Sequence, residues 1–447
     1  MALLPIPFLG DLRPRAAALI TCWLAAHAAY LGAASTVLRR GGAQEPAGPG
    51  RGAGAAAGCA RRRSGTLGLL LGVGLLTRIA LVPAVPTLSE DVYRYLWDGR
   101  LVASGLNPFA HAPTDPSLAR REDALFRRLN HADLPTIYPP VAQFLFAAAA
   151  AIRPDPIAWK VLLLALEGLS LAALAALLRR RGLPAERLLL YYWNPLVIVE
   201  SFGSGHVDLA IAAFLLAALA LSDGCRRAAA GVLLGLSIGV KYVSGLLLPY
   251  WLLRRRFRLP LVSLAVLALS FAPFVGAGSS LWSSLAVYSR RWEFNGLFYP
   301  LLIKIGVSGD AARAVLAVAL AGAVLAISLR ARSASGAALA GFTALALLSP
   351  TLYPWYLVPM AALLPLHPDA GLLVFTGLVP LSYAVLPDYA ARGVWRLPAW
   401  VPWVEYGGLA AAWIAAAAFR RAPRPVSDGP TRGRWIVPQR RENRRGT

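Results

Sequence analysis

The stretch Thr87–Gln143 holds the side chains best suited to chemistry. It opens TLSEDVYRYLWDGRLVASGLNPFAHAPTDP and closes LNHADLPTIYPPVAQ. In SEDVYRYLWDGR, Ser89 is placed to cap a helix, with Glu90 and Asp91 in its first turn. On that helix Asp91, Arg94, Tyr95 and Asp98 fall on one face through i, i+3, i+4 and i+7 spacing. Such a face offers a carboxylate base, a cation and a ring. Equally, it is the polar face of an interfacial helix with an Asp91–Arg94 surface pair. Asp91 is the better candidate base because it lies just beyond an apolar run, where a lipid headgroup would sit.

Further polar groups are set out along the chain. GLNPFAHAPTDP, with Asn107, holds an ordered non-helical loop through Gly105, Pro108, Pro113 and Pro116. His131 and Tyr138 are placed either to contact a sugar or phosphate or simply to cap and pack. Glu200, His206 and Asp208 flank a second turn, SFGSGHVD, and suit hydrogen bonding to substrate hydroxyls or to the first loop better than metal binding. Lys241 lies inside an apolar segment and requires a partner, either a carboxylate from another helix or a phosphate. Arg290 and Arg291, with Trp292, Glu293 and Asn295, form a cluster suited to phosphate or to snorkelling at an interface. Tyr353, Trp355 and Tyr356 either belong to an aromatic belt or line a groove.

The elements that position these residues are membrane helices. Of 447 residues 57% are hydrophobic and only 15% charged, against about 25% charged in soluble domains. Several apolar runs approach the ~20 residues a bilayer crossing needs. The net charge of +23 sits in short clusters beside those runs, at Arg61–Arg63, Arg179–Arg181, Arg254–Arg256 and the tail from Arg420. That pattern marks cytoplasmic loops and not a nucleic-acid surface. The three cysteines, Cys22, Cys59 and Cys225, have neither disulfide nor metal-ligand spacing. No cleavable leader is expected, because Ala16–Leu38 is too long for one and ends in arginines.

Spans are expected over Ala16–Leu38 and Thr66–Val85, separated by a disordered cytoplasmic linker. Val141–Ile152 is too short to cross, and a crossing there would put Arg179–Arg181 on the wrong side; it is expected in the interface or re-entrant. Spans near 187–200 and 207–222 follow. Between Arg227 and Arg254 lie roughly 26 residues, a helix of only ~39 Å, so a broken hairpin with Lys241 near its tip is expected. Later spans fall near 259–275, 311–329, 336–348, 352–366, 371–386 and 401–419. The expectation is an all-α polytopic bundle of about 12 or 13 crossings. It divides into an extra span and linker (1–65), a membrane domain (66–419) whose loop 87–153 carries the chemistry, and a basic cytoplasmic tail (420–447).

SEDVYRYLWDG, GLNPF and TIYPPVAQ together resemble the GT-C superfamily of polytopic membrane glycosyltransferases. WNPLVIVESFGSGHVD, GLSIGVKYVSGLLLP and LSPTLYPWYLVP extend the resemblance over roughly 66–366. Nearest in appearance are the polyprenol-phosphate-mannose-dependent mannosyltransferases and glycosyltransferase family 87. The resemblance implies transfer of a hexose, mannose first, from a polyprenyl-phosphate sugar to a glycan or glycolipid acceptor. It implies inversion, a site on the extracytoplasmic side of the cell membrane, and an acidic base mapping to Asp91 with Glu90 beside it. Arg94, Lys241 and Arg291 are the candidates to stabilise the leaving phosphate. The chain carries no DxD metal motif, and no cofactor is expected. Two other classes compete: a flippase for a lipid-linked sugar, and a cell-envelope scaffold. A transporter should show repeated halves with charges at mid-membrane; this chain keeps most of its charges in loops and shows no repeat.

Overall fold

The computed structural model describes residues 10–42, 53–224 and 226–421. The expected linker over 43–52, Cys225, the tail beyond Arg421 and the side chains of Cys59 and Arg61–Arg63 lie outside the described residues. The described residues are 74% helical, and no strand forms among them. Among the described residues four helices are individually long and apolar enough to cross a membrane, or up to six if each of two bent pairs counts as one span. Of the remaining expected crossings, those near 336–348 and 352–366 fall on shorter or broken helices and that near 401–419 on a 22-residue helix outside the four.

The first two helices are α1 (Ala16–Gly42) and α2 (Ala53–Leu81), the latter beginning inside the segment expected to be unstructured. The amphipathic helix α3 (Asp91–Ala103) and the short α4 (Pro140–Ile152) pack against each other. Gly99, from the WDGR motif, makes that approach possible, since a Cβ there would run into the Phe146 backbone. Gly99→Ala is therefore expected to cost about 1–3 kcal/mol by overpacking, read as a lowered midpoint of thermal unfolding in detergent.

Helix α5 (Pro156–Arg180) leads to the centre of the bundle, α6 (Asp208–Ser222). Nearly every α6 side chain is buried, as expected of a helix apolar all round. Ahead of α6, the expected span near 187–200 is not one continuous helix. It is broken into short turns that end in a π-helical turn, Val199–Gly203, and the backbone then bends by 120° into α6. Gly205 takes φ +80° at that bend, a conformation that favours glycine.

Helix α7 (Arg227–Val240) packs against both α6 and α8 (Arg258–Ser270). Gly231, Gly235 and Gly239 recur every fourth residue along it. A Cβ on the first two would lie 2.8 and 2.7 Å from the Leu259 and Ser263 carbonyls, and one on the third would strike Val141 of α4. Small residues at this spacing let membrane helices approach closely. The stripe seats the end of α7, where the helix breaks at Lys241 into a 3-10 turn, Tyr242–Leu247. The break expected near Lys241 is found here. The expected span near 259–275 also bends, by 88° after α8, through a 3-10 segment (Ala272–Trp282) into α9 (Ser283–Arg291).

The rest comprises α10 (Gly309–Arg330), α11 (Ala334–Leu348), α12 (Ala370–Leu378) and α13 (Trp400–Arg421). The expected span 352–366 is instead a run of short turns holding Pro354 and Pro359, each of which lacks a donor for a helical hydrogen bond. Both α1 and α13 pack on α12. Within the bundle, Arg78 of α2 reaches Glu167 of α5 at 2.8 Å and the Tyr192 carbonyl at 2.7 Å. A buried pair so fully hydrogen-bonded ties two spans together where an unpaired charge would be costly.

Candidate active site

The cavity of about 760 Å³ lies where the polar loops and the helix breaks converge. Its chemistry-bearing walls are the start of α3 (Asp91, Arg94), the 130–138 loop (Asn130, His131, Tyr138), Asp208 at the head of α6, and Lys241 at the α7 break. Across from them stand Tyr288 and Arg291 of α9, then Trp292 and Glu293, and the turn bearing Thr351, Tyr353, Trp355 and Tyr356. Leu285, Val243, Phe342, Leu345, Ala346 and Pro359 make the apolar part.

Helix α3 starts at Asp91, with Glu90 and not Ser89 at the cap position, and Ser89 Oγ accepts the Asp91 N–H at 3.2 Å. The helix thus starts one residue later than the capping signal suggested. Asp91 accepts from Asn130 Nδ2 at 3.3 Å. Burial pushes its carboxyl above the usual range, while Asn130 and the nearby Lys241 charge pull it back. Glu90 is raised by burial too, opposed by Arg13, which reaches it at 3.4 Å.

Arg94 does not pair with Asp91. It forms an i, i+4 pair with Asp98 at 2.8 Å and donates to the Leu134 carbonyl at 2.9 Å. Arg94 thus braces the 130–138 loop, and Asp98, wholly buried, lies beneath it and off the cavity. Tyr95 is likewise behind the wall, stacked on Phe146 at 4.6 Å and edge-on to Tyr138 at 4.9 Å. Asn107 is also off the cavity. Its side chain donates to the Phe274 carbonyl at 3.0 Å and accepts from the Phe109 N–H, pinning the first loop to the 3-10 segment. Arg290 is exposed and does not line the cavity, whereas its neighbour Arg291 does.

Lys241 finds the carboxylate partner its position required: Asp208, at 3.0 and 3.3 Å. Its ammonium also sits 4.1 Å from the Tyr356 ring centroid, a cation–π contact. Tyr356 in turn shares a hydrogen bond with Tyr288 at 2.8 Å. His131 meets Trp292 edge-on at 4.7 Å. Glu200 and His206 are buried behind Asp91, where Tyr383 donates to both Glu200 oxygens at 2.8 and 2.9 Å. Among the described residues no three of His, Cys, Asp or Glu converge on a point that could hold a metal ion.

Several wall residues escaped the sequence reading, among them Tyr288, Thr351, Asn130 and Arg13. Asn130 sits beside His131 in a motif already singled out, but nothing in its type marks it above its neighbours. Arg13 comes from the segment before α1 and reaches the site only through the tertiary fold. Backbone pairing secures the opposite wall: Leu352 N–H donates to the Phe294 carbonyl at 2.7 Å, and Phe294 N–H to that of Pro350 at 3.1 Å. Asn295, at φ +54°, is held from α13, its side chain donating to Glu405 at 2.7 Å and its carbonyl accepting from Tyr406 at 2.8 Å.

Residues 58–255 match the model of a family described as alpha-(1->6)-mannopyranosyltransferase, N-terminal domain. The chain is also similar to alpha-(1->6)-mannopyranosyltransferase A of Mycobacterium tuberculosis, 29% identical over 228 residues. That similarity covers 47% of this chain, and the chain spans less than half, 43%, of the relative's length. The matched region contains Asp91, Glu200, His206, Asp208 and Lys241, while Arg13 and the wall from Ser284 onward lie outside it. The likeness carried by the first-loop motifs thus recurs by an independent comparison: this chain resembles the GT-C mannosyltransferases, and over residues 58–255 it is similar to the N-terminal domain of the alpha-(1->6)-mannopyranosyltransferases.

Proposed function

We propose that the protein is a membrane mannosyltransferase that uses a polyprenyl-phosphate mannose donor and a glycan or glycolipid hydroxyl as acceptor, on the extracytoplasmic side. Asp91 takes the proton of the attacking hydroxyl as its oxygen bonds to the anomeric carbon. The bond from that carbon to the phosphate oxygen breaks, and polyprenyl phosphate leaves from the opposite face, inverting the centre. Lys241 and Arg291 stabilise the charge developing on the phosphate. Arg94 contributes by holding the His131–Leu134 backbone in place.

The observation that carries this reading is the composition of a single cavity. Its lining brings together a half-buried carboxylate, the cations Lys241 and Arg291, and rings and aliphatic side chains suited to a sugar face and a prenyl chain. Sugar transfer from a radiolabelled polyprenyl-phosphate mannose to an acceptor glycolipid, by purified protein in vesicles, tests it. Movement of intact lipid-linked sugar across the bilayer without transfer would establish the flippase instead.

A pH profile examines the base. The rate is expected to fall on the acid side at a midpoint above the ordinary carboxylate value, because protonated Asp91 cannot accept the hydroxyl proton. Asn130→Ala removes a hydrogen bond that favours the ionised form, so its acid limb should move to higher pH. A limb that stays in place would separate Asn130 from the base.

A further inference from the structure

Behind Asp91 lies a line of groups that sugar transfer as described does not use. His206 is buried, 1% exposed, in the turn after the π-helical segment. Its Nδ1 lies 3.8 Å from Asp91 Oδ2, and its Nε2 lies 3.5 Å from Glu200 Oε2. Both ring nitrogens lack a hydrogen-bond partner, an expensive condition for buried polar atoms. The two gaps lie just beyond hydrogen-bond length, so a sub-ångström adjustment of the side chains closes them.

The ring is held in that plane from several sides. It stacks on Trp355 with centroids 3.8 Å apart and planes 12° from parallel. Its backbone N–H donates to the Glu200 carbonyl at 2.9 Å. The preceding Gly205 carbonyl accepts from Trp159 Nε1 at 2.6 Å. Lys241 is the cation near this group, and it is already paired with Asp208.

A neutral imidazole has one N–H and one free nitrogen, whereas two ionised carboxylates would demand two donors. The row Asp91–His206–Glu200 is therefore satisfied when it shares an additional proton. Resting on the transferase reading above, we propose that His206 relays the acceptor's proton from Asp91 to Glu200. After sugar transfer Asp91 is a neutral acid. Its proton passes to His206 Nδ1 as the proton on Nε2 passes to Glu200. One O–H and one N–H bond break while one N–H and one O–H bond form, and Asp91 is again a carboxylate. The reverse transfers through Asp91 return a proton to the open cavity and restore the Nε2–H form once the product has left. Tyr383, donating to Glu200, holds the receiving end in place. His206 acts through Asp91 and is a positioning and relay residue; it does not touch the sugar.

The test uses the full-length protein in vesicles. His206→Gln keeps a donor and an acceptor but cannot pass a proton. It is expected to lower kcat by about 10²-fold, the low end of the range for proton-transfer catalysis, with donor KM unchanged. His206→Ala is expected to lose kcat similarly and to regain part of it with added imidazole. Wild-type kcat in His206→Gln, or no imidazole rescue of a folded His206→Ala, overturns the relay. An arm independent of activity is the infrared C=O band that grows in as the pH is lowered and the row takes up its extra proton, and that is absent in Glu200→Gln. A shared proton requires that band to shift in Asp91→Asn and in His206→Gln, and an unmoved band overturns the proposal. If the wild-type protein transfers no sugar, the transferase reading fails by itself, and the infrared arm still decides whether these three groups share a proton.

Discussion

Asp91→Asn is expected to lower kcat for sugar transfer by about 10²–10⁴-fold, the contribution of a positioned general base, while leaving donor affinity near wild type. The amide has the shape of the carboxylate, and its oxygen can still accept from Asn130, so the wall should stand. What is lost is the capacity to take the hydroxyl proton. Glu90→Gln supplies the contrast. Its carboxylate pairs with a partly exposed Arg13 at 3.4 Å, an interaction of about 0–1 kcal/mol, so its effect should stay under about tenfold. Steady-state kinetics on both variants decide the assignment. A wild-type rate in Asp91→Asn would remove Asp91 from the base role, and a larger loss in Glu90→Gln would move that role one residue upstream.

The second large effect concerns stability and chemistry together. Lys241→Ala leaves Asp208 buried without its counter-ion, and breaking such a pair costs about 3–5 kcal/mol. The low end applies here, because the Lys241 side chain is 22% exposed while Asp208 is 3%. The double variant Lys241→Ala/Asp208→Asn should recover most of the thermal stability, since no uncompensated charge remains. It should not recover sugar transfer, because the cation facing the phosphate is still absent. Unfolding midpoints and transfer rates on the same preparations separate the two contributions. If activity returns with stability, Lys241 is structural.

How far the chain discloses itself depends on the range of the forces involved. Local signals read well. The acidic first turn of SEDVYRYLWDG starts α3 at Asp91, and Pro140 opens the 13-residue α4 that positive-charge bias had barred from crossing. The isolated Lys241 implied either a carboxylate from another helix or a phosphate, and a carboxylate, Asp208, meets it. Polar partners set by three-dimensional placement did not read. Spacing cannot distinguish an Asp91–Arg94 pair from the Arg94–Asp98 pair that forms, since both satisfy helical geometry. Nor does spacing reveal that Tyr95 and Asp98 face inward, that a 120° bend buries Glu200 and His206 behind the base, or that Arg78 and Glu167 meet from separate spans. The long apolar runs read as helical but concealed their breaks, because a proline or a π turn inside such a run scarcely alters its hydrophobicity.

Asn295 is held by α13, and the strap it anchors pairs with the turn at Thr351. Trp292 and Tyr353 therefore hang from the part of the chain after residue 283, while Asp91, Asp208 and Lys241 belong to the part before it. The base and Lys241 form one cassette and the panel they face forms another, and the two meet through side-chain contacts such as Lys241–Tyr356, His131–Trp292 and His206–Trp355. An exchange of residues 284–395 between relatives would then retune which molecule is gripped while the proton-accepting apparatus stays in place.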